Sequence, residues 1–136
     1  MKIAGKTDVG MIRKTNQDTF RIAVLCDGIG FALVCDGMGG VKGGDQASAI
    51  AKRMITAVVR DNIRAGMMDD ELHDLLLRAI FEANRQIYEQ AQSQPEFAGM
   101  GTTALAAIIT PDCAYIGHVG DSRLYQLHGG QFYQVT

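Results

Sequence analysis

Residues 33–40 read LVCDGMGG: an apolar run, Leu33-Val34-Cys35, meets an acid at Asp36, and glycines follow at once. Nine residues upstream the chain spells almost the same words, CDGIG at 26–30. The first copy lies between two strand-like runs, Phe20–Leu25 and Phe31–Cys35, so Asp27-Gly28 reads as the turn of a β-hairpin. The second copy asks for more than a turn. Asp36 ends a strand fit for burial, and Gly37, Gly39, Gly40, Gly43 and Gly44 crowd the positions before a helix. Glycine at that density implies bare backbone approaching something small and charged.

Nucleotide loops do not fit this stretch. A phosphate loop needs Gly-Lys followed by Ser or Thr, whereas Lys42 is followed by Gly43. A G-x-G-x-x-G fingerprint begun at Gly37 meets Lys42 at its sixth position, and no acid follows at the ribose distance. A divalent cation fits better. Asp36 offers a carboxylate, Gly37 a carbonyl, and hard cations such as Mg²⁺ and Mn²⁺ take oxygen donors.

Working outward, the first helix is expected from about Asp45, its N-cap, with Ala47, Ile50, Ala51, Met54 and Val58 at helical spacing and Gly66 past its end. The second begins near Asp69-Asp70 and carries one apolar stripe, Leu72, Leu75, Leu76, Ala79, Ile80, Ala83, Ile87 and Ala91, ending before Pro95. Strands are expected at Thr102–Ile109, Ala114–Val119, Leu124–Leu127 and Gln131–Val135, with turns at Pro111-Asp112 and His128-Gly129-Gly130. Strands, two helices, then strands again favour an α+β fold with antiparallel pairing over a βαβ repeat.

The bulk numbers narrow the function. With 136 residues, 47% of them hydrophobic, the chain suits one domain with a real core. A net charge of −2 offers no field for nucleic acid or an anionic membrane. No run approaches the roughly 18 apolar residues of a membrane span, and the N-terminus has no signal-peptide stretch, so a cytoplasmic protein is expected. Cys26, Cys35 and Cys113 are odd in number and show no C-x-x-C spacing, so they are expected to be buried apolar residues, not a disulfide framework or zinc site.

Two other stretches join Asp36. TDVGMIRKTNQD (7–18) places Arg13 five residues before Asp18, and YIGHVGDSRLY (115–125) ends a strand with Asp121, Ser122 and Arg123. With LVCDGMGG and GMGTTALAAII (99–109), these resemble the successive motifs of the metal-dependent protein phosphatases, the protein phosphatase 2C type, in its bacterial form. The resemblance covers residues 5–136.

That resemblance implies an antiparallel β-sandwich flanked by helices, an α-β-β-α fold of which this chain is the N-terminal portion and therefore incomplete. It implies hydrolysis of phosphoserine and phosphothreonine monoesters by a metal-activated water, with two Mn²⁺ or Mg²⁺ ions, and a third, weaker ion in bacterial members. Residue by residue, it assigns Arg13 to the substrate phosphate, Asp18 to the acid beside the metals, Asp36 to the aspartate bridging two ions, Gly37 to a carbonyl ligand, and Asp121 to the third ion. The implied partners are phosphorylated proteins, substrates of a serine/threonine kinase.

Two departures qualify that expectation. Many eukaryotic members carry histidine where this chain has Met38, which cannot donate a proton; His118 and His128 match no catalytic position. Two later aspartates that complete the family's metal pair have no counterpart in these residues, so the chain alone is expected to be weakly active or inactive, and its unpaired sheet edges to invite self-association. The alternative reading is a non-catalytic, phosphatase-like binding module.

Overall fold

The structure, a computed structural model, describes residues 1–136, except that the side chains of Val41 and Lys42 lie outside the description. In chain order it comprises β1 (Asp18–Val24), β2 (Gly30–Met38), α1 (Gly40–Asn62), α2 (Asp69–Ser93), β3 (Gly101–Thr102), β4 (Ala104–Ile109), β5 (Ala114–Val119), β6 (Tyr125–His128) and β7 (Gln131–Gln134). The main sheet is antiparallel in the order β1-β2-β4-β5, with the short β3 also pairing β2, and β6-β7 form a separate hairpin. The α+β, antiparallel expectation therefore holds.

Strand β2 organises the sheet because its alternation is strict. Phe31, Leu33 and Cys35 are buried against the helices, while Val34, Asp36 and Met38 point to the other face and are exposed. From the helices, Ala47, Ile50, Ala51, Ile55 and Val59 of α1 and Leu72, Leu75, Leu76, Ala79, Ala83 and Ile87 of α2 complete one core with Ala104, Ala106 and Ile108 of β4. The α2 stripe lies where its spacing places it, and the helix runs Asp69–Ser93 as expected. Tyr115 of β5 ties the sheet to the start of α2: its hydroxyl donates to Asp69 Oδ1 at 2.7 Å, and that bond, the largest cause, pushes the phenol up to about 12.

The start of α1 differs from the sequence expectation. The helix begins at Gly40, capped by Gly39 rather than Asp45, and takes Gly43 and Gly44 into its first turns. Glycine disfavours helix by about 1 kcal/mol relative to alanine, but close packing overrides that preference here. A Cβ on Gly37 would lie 2.1 Å from the Gly44 carbonyl oxygen, and one on Gly39 (φ 119) would lie 2.6 Å from Met100 Cα. The glycine run thus lets β2, α1 and the Gly99-Met100 loop touch backbone to backbone. Gly66, with φ 72, turns the chain between the helices instead of closing the first one, which ends at Asn62.

The cysteine expectation holds for one of three. Cys35 is fully buried, and desolvation pushes its thiol up to about 12; Cys26 and Cys113 are exposed at turns. Turn geometry outweighs thiol hydrophobicity at both.

Candidate active site

The two Cys-Asp-Gly copies separate at opposite ends of the first hairpin. Residues 25–29 close its turn, with Asp27 at φ 49, Leu25 N–H donating to the Ile29 carbonyl at 2.7 Å, and Ile29 N–H to the Cys26 carbonyl at 3.0 Å. Asp36 lies six strand residues beyond Gly30, roughly 20 Å away at ~3.3 Å per residue. There the register sets Asp36 directly opposite Asp18. Opposed residues share a face, so both carboxylates project from the side of the sheet away from the helices.

Local polar contacts hold each acid in place. Asn16 Oδ1 accepts from the Asp18 N–H at 3.0 Å, and Asn16 Nδ2 donates to Thr7 Oγ1 at 2.7 Å. Gln17 Nε2 donates to the Gly40 carbonyl at 2.7 Å, fastening the start of β1 to the start of α1. Gly37 N–H donates to the Gln17 carbonyl at 3.2 Å, and among the described residues the return bond, from Gln17 N–H to the Gly37 carbonyl, is not made. That leaves the Gly37 oxygen without its cross-strand partner at this edge.

On the other side of β2, Thr103 N–H donates to the Asp36 carbonyl at 2.8 Å, while Asp36 N–H donates to Thr103 Oγ1 at 2.9 Å. Thr102 Oγ1 lies 3.0 Å from the Asp36 carbonyl oxygen and 2.9 Å from that of Thr103, and can donate to one at a time. Thr103 Oγ1 lies 2.8 Å from Ser122 Oγ, beside Asp121. Sequence reading singled out none of Asn16, Gln17, Thr102 or Thr103. The available signal was the Thr-Thr pair opening an otherwise apolar strand: Thr103 is buried, and a buried hydroxyl needs a partner.

The electrostatics at Asp36 are those of crowded acids. Its carboxyl is held above the ordinary carboxylate range, first by partial desolvation, then by the hydrogen bond and negative charge of Asp18, with Asp121 adding to the repulsion; Arg13 opposes the shift. Arg13, Asp18 and Asp121 therefore all act on Asp36, although the four residues come from three separate stretches of chain. His118 lies in β5, opposite Leu105, and His128 ends β6; neither enters this group.

Two opposed carboxylates that crowd each other, with a third acting on Asp36, are hard oxygen donors whose repulsion a divalent cation would relieve. In kind, these residues fit such an ion. In number they are fewer than a closed site needs: among the described residues no three carboxylate, imidazole or thiol side chains converge closely enough to enclose one.

The sequence profile of the protein phosphatase 2C family matches residues 13–136. The serine/threonine phosphatase stp of Listeria welshimeri is 37% identical over 131 residues, covering 96% of this chain and 52% of that protein. Among solved structures, serine/threonine phosphatase Stp1 from Staphylococcus aureus superposes with a TM-score of 0.86 at 31% identity, covering 96% of this chain and 51% of that one. The catalytic domain of serine/threonine protein phosphatase PstP, in complex with two manganese ions, gives a TM-score of 0.82 at 30% identity, covering 96% and 53%. The chain spans about half the length of these relatives.

Proposed function

The chain belongs to the protein phosphatase 2C family, and from that premise we propose that it carries the N-terminal share of a metal-dependent serine/threonine phosphatase site, acting on phosphorylated proteins made by a serine/threonine kinase. The observation that carries this reading is the Asp18–Asp36 pair, two opposed carboxylates on one sheet face with Arg13 and Asp121 within electrostatic reach.

In this reading Asp36 and Asp18 would hold Mn²⁺ or Mg²⁺, the Gly37 carbonyl would assist, and Asp121 would serve a further, weaker ion. The related PstP catalytic domain with two manganese ions supports that choice of metal. When bound, the ions supply charge neutralisation for a phosphate dianion and acidify a water for attack on phosphorus. Arg13 contributes a planar fork that can grip two phosphate oxygens. Asp18 orients the attacking water by accepting its hydrogen bond. Cys35 takes no part, because burial keeps its thiol protonated. Met38, exposed beside the site, has no proton to give the leaving alkoxide, so that proton must come from solvent held at the site.

Residues 1–136 supply few of the donors a metal pair needs, so little turnover is expected from them alone. Even one lost ligand partner lowers metal affinity or activity by ~10–100-fold. A cytoplasmic site of action accords with three free cysteines and the absence, among the described residues, of a helix long and apolar enough to cross a membrane. Self-association through the β5 edge and the exposed hairpin is part of the same proposal.

The experiment is complementation. Joined after Thr136 to the C-terminal half of a relative, the chain is expected to hydrolyse p-nitrophenyl phosphate when Mn²⁺ is added. Asp36→Asn should remove nearly all of that activity. A fusion that stays active with the Asp36→Asn substitution would overturn the site, and robust metal-dependent turnover by the 136 residues alone would overturn the ligand count.

A further inference from the structure

We propose that Thr103 is a positioning residue that fixes the strand bearing Asp36 to the loop bearing Asp121; its consequence for metal binding rests on the phosphatase reading above. The argument begins with the ladder. Val34 pairs Leu105 and Gly37 pairs Thr102, so Asp36 faces Thr103 in continuous register. Regular pairing there would send the Asp36 N–H to the Thr103 carbonyl. It goes instead to the Thr103 hydroxyl at 2.9 Å, while Thr103 N–H still donates to the Asp36 carbonyl at 2.8 Å.

That detour places a side chain in the middle of the contact, and the same hydroxyl reaches Ser122 Oγ at 2.8 Å. One buried oxygen thereby joins two backbone segments that carry acids, Asp36 directly and Asp121 through its neighbour. The chain makes room for this arrangement. Ala104 pairs Val119, so the next step of the register brings Gly120 beside Thr103. Gly120 sits at φ 101, and a Cβ there would lie 2.6 Å from Thr103 Cγ2. Asp18 of β1, Asp36 of β2, Thr103 just before β4 and Gly120 just after β5 thus form one row. The threonine methyl fills the gap at Gly120, and its hydroxyl sets the spacing of the acids.

The test compares Thr103→Val, which keeps the shape and loses the hydroxyl, with Thr103→Ser, which keeps the hydroxyl. In the metal-free chain, amide hydrogen exchange at Asp36 is expected to speed up at least about tenfold in Thr103→Val and to stay near wild type in Thr103→Ser. Mn²⁺ binding, read by electron paramagnetic resonance, is expected to weaken by about tenfold in Thr103→Val, as for other residues that support a metal ligand. The serine variant should hold it within about twofold. Ser122→Ala, which cuts only the outer link, should weaken Mn²⁺ binding and leave the Asp36 amide protected; it also serves if Thr103→Val does not fold. Equal exchange in the valine and serine variants overturns the anchoring, and equal Mn²⁺ affinity overturns the positioning role. Asp36→Asn separates the two ideas. If it binds Mn²⁺ as wild type does, the phosphatase reading fails, while the exchange data still decide whether Thr103 anchors Asp36.

Discussion

Asp36 is where the acidic charge of this chain crowds together. A carboxyl held above its ordinary value of 3.8 by desolvation and by Asp18 keeps a proton in the folded state that the unfolded chain has already released. Stability of the metal-free protein must therefore fall as pH rises from about 4 through the raised value, because the unfolded state binds fewer protons in that window. Below about 4 the contribution is constant. Asp36→Asn removes it, so the variant is expected to be the more stable protein at pH 7 without metal and to match wild type near pH 3. Urea midpoints across pH 3–7 check this, and parallel pH profiles for the two proteins would contradict it. Asp36 and Asp121 stood out in the sequence because each follows an apolar strand-like run, whereas Arg13 and Asp18 were picked out by the motif that resembles the phosphatase family. Thr103 was not, since a threonine in a strand has high β-propensity and its hydroxyl partners come from distant residues.

At the scale of elements, apolar runs bounded by turns revealed the strands, except that the one expected over Thr102–Ile109 is broken at Thr103 into β3 and β4, and helical spacing revealed α2 to within a residue of its ends. The start of α1 escaped because local preference and tertiary contact disagree there: a run of glycine predicts a loop, and the Gly37–Gly44 contact makes it helix. The glycines consequently have a mechanical role. Gly37→Ala would drive a Cβ into the Gly44 carbonyl, whereas at Gly10 nothing lies within 4 Å and an alanine would be strained only by its φ of 72. Overpacking at Gly37 is expected to destabilise the fold by about 1–3 kcal/mol or more. Chemical denaturation measures it, and an unchanged midpoint for Gly37→Ala would show that β2 and α1 do not meet as described.

Across the whole molecule, one face of the sheet is covered by helices and other apolar surface is left open. Leu127, Phe132 and Val135 of the hairpin region are at least half exposed, as are Leu77 and Phe81 of α2 beside the β5 edge. Open edges and apolar patches of this kind favour association. Sedimentation velocity is expected to show concentration-dependent association, diminished by Phe132→Ser; a single monomeric species at every concentration would contradict it. The antiparallel α+β plan was readable from the order of elements. The separation of β6-β7 from the main sheet was not, because strand pairing between distant segments depends on contacts no local pattern encodes.

The central claim is that Asp36 is built to hold a divalent cation, and calorimetric or paramagnetic Mn²⁺ titration of the wild-type chain against Asp36→Asn tests it most directly. The account predicts weak binding to wild type, tightening as pH rises and Asp36 loses its proton, and at least about tenfold weaker binding to the variant. Equal affinity in both proteins, or affinity indifferent to pH, would contradict it.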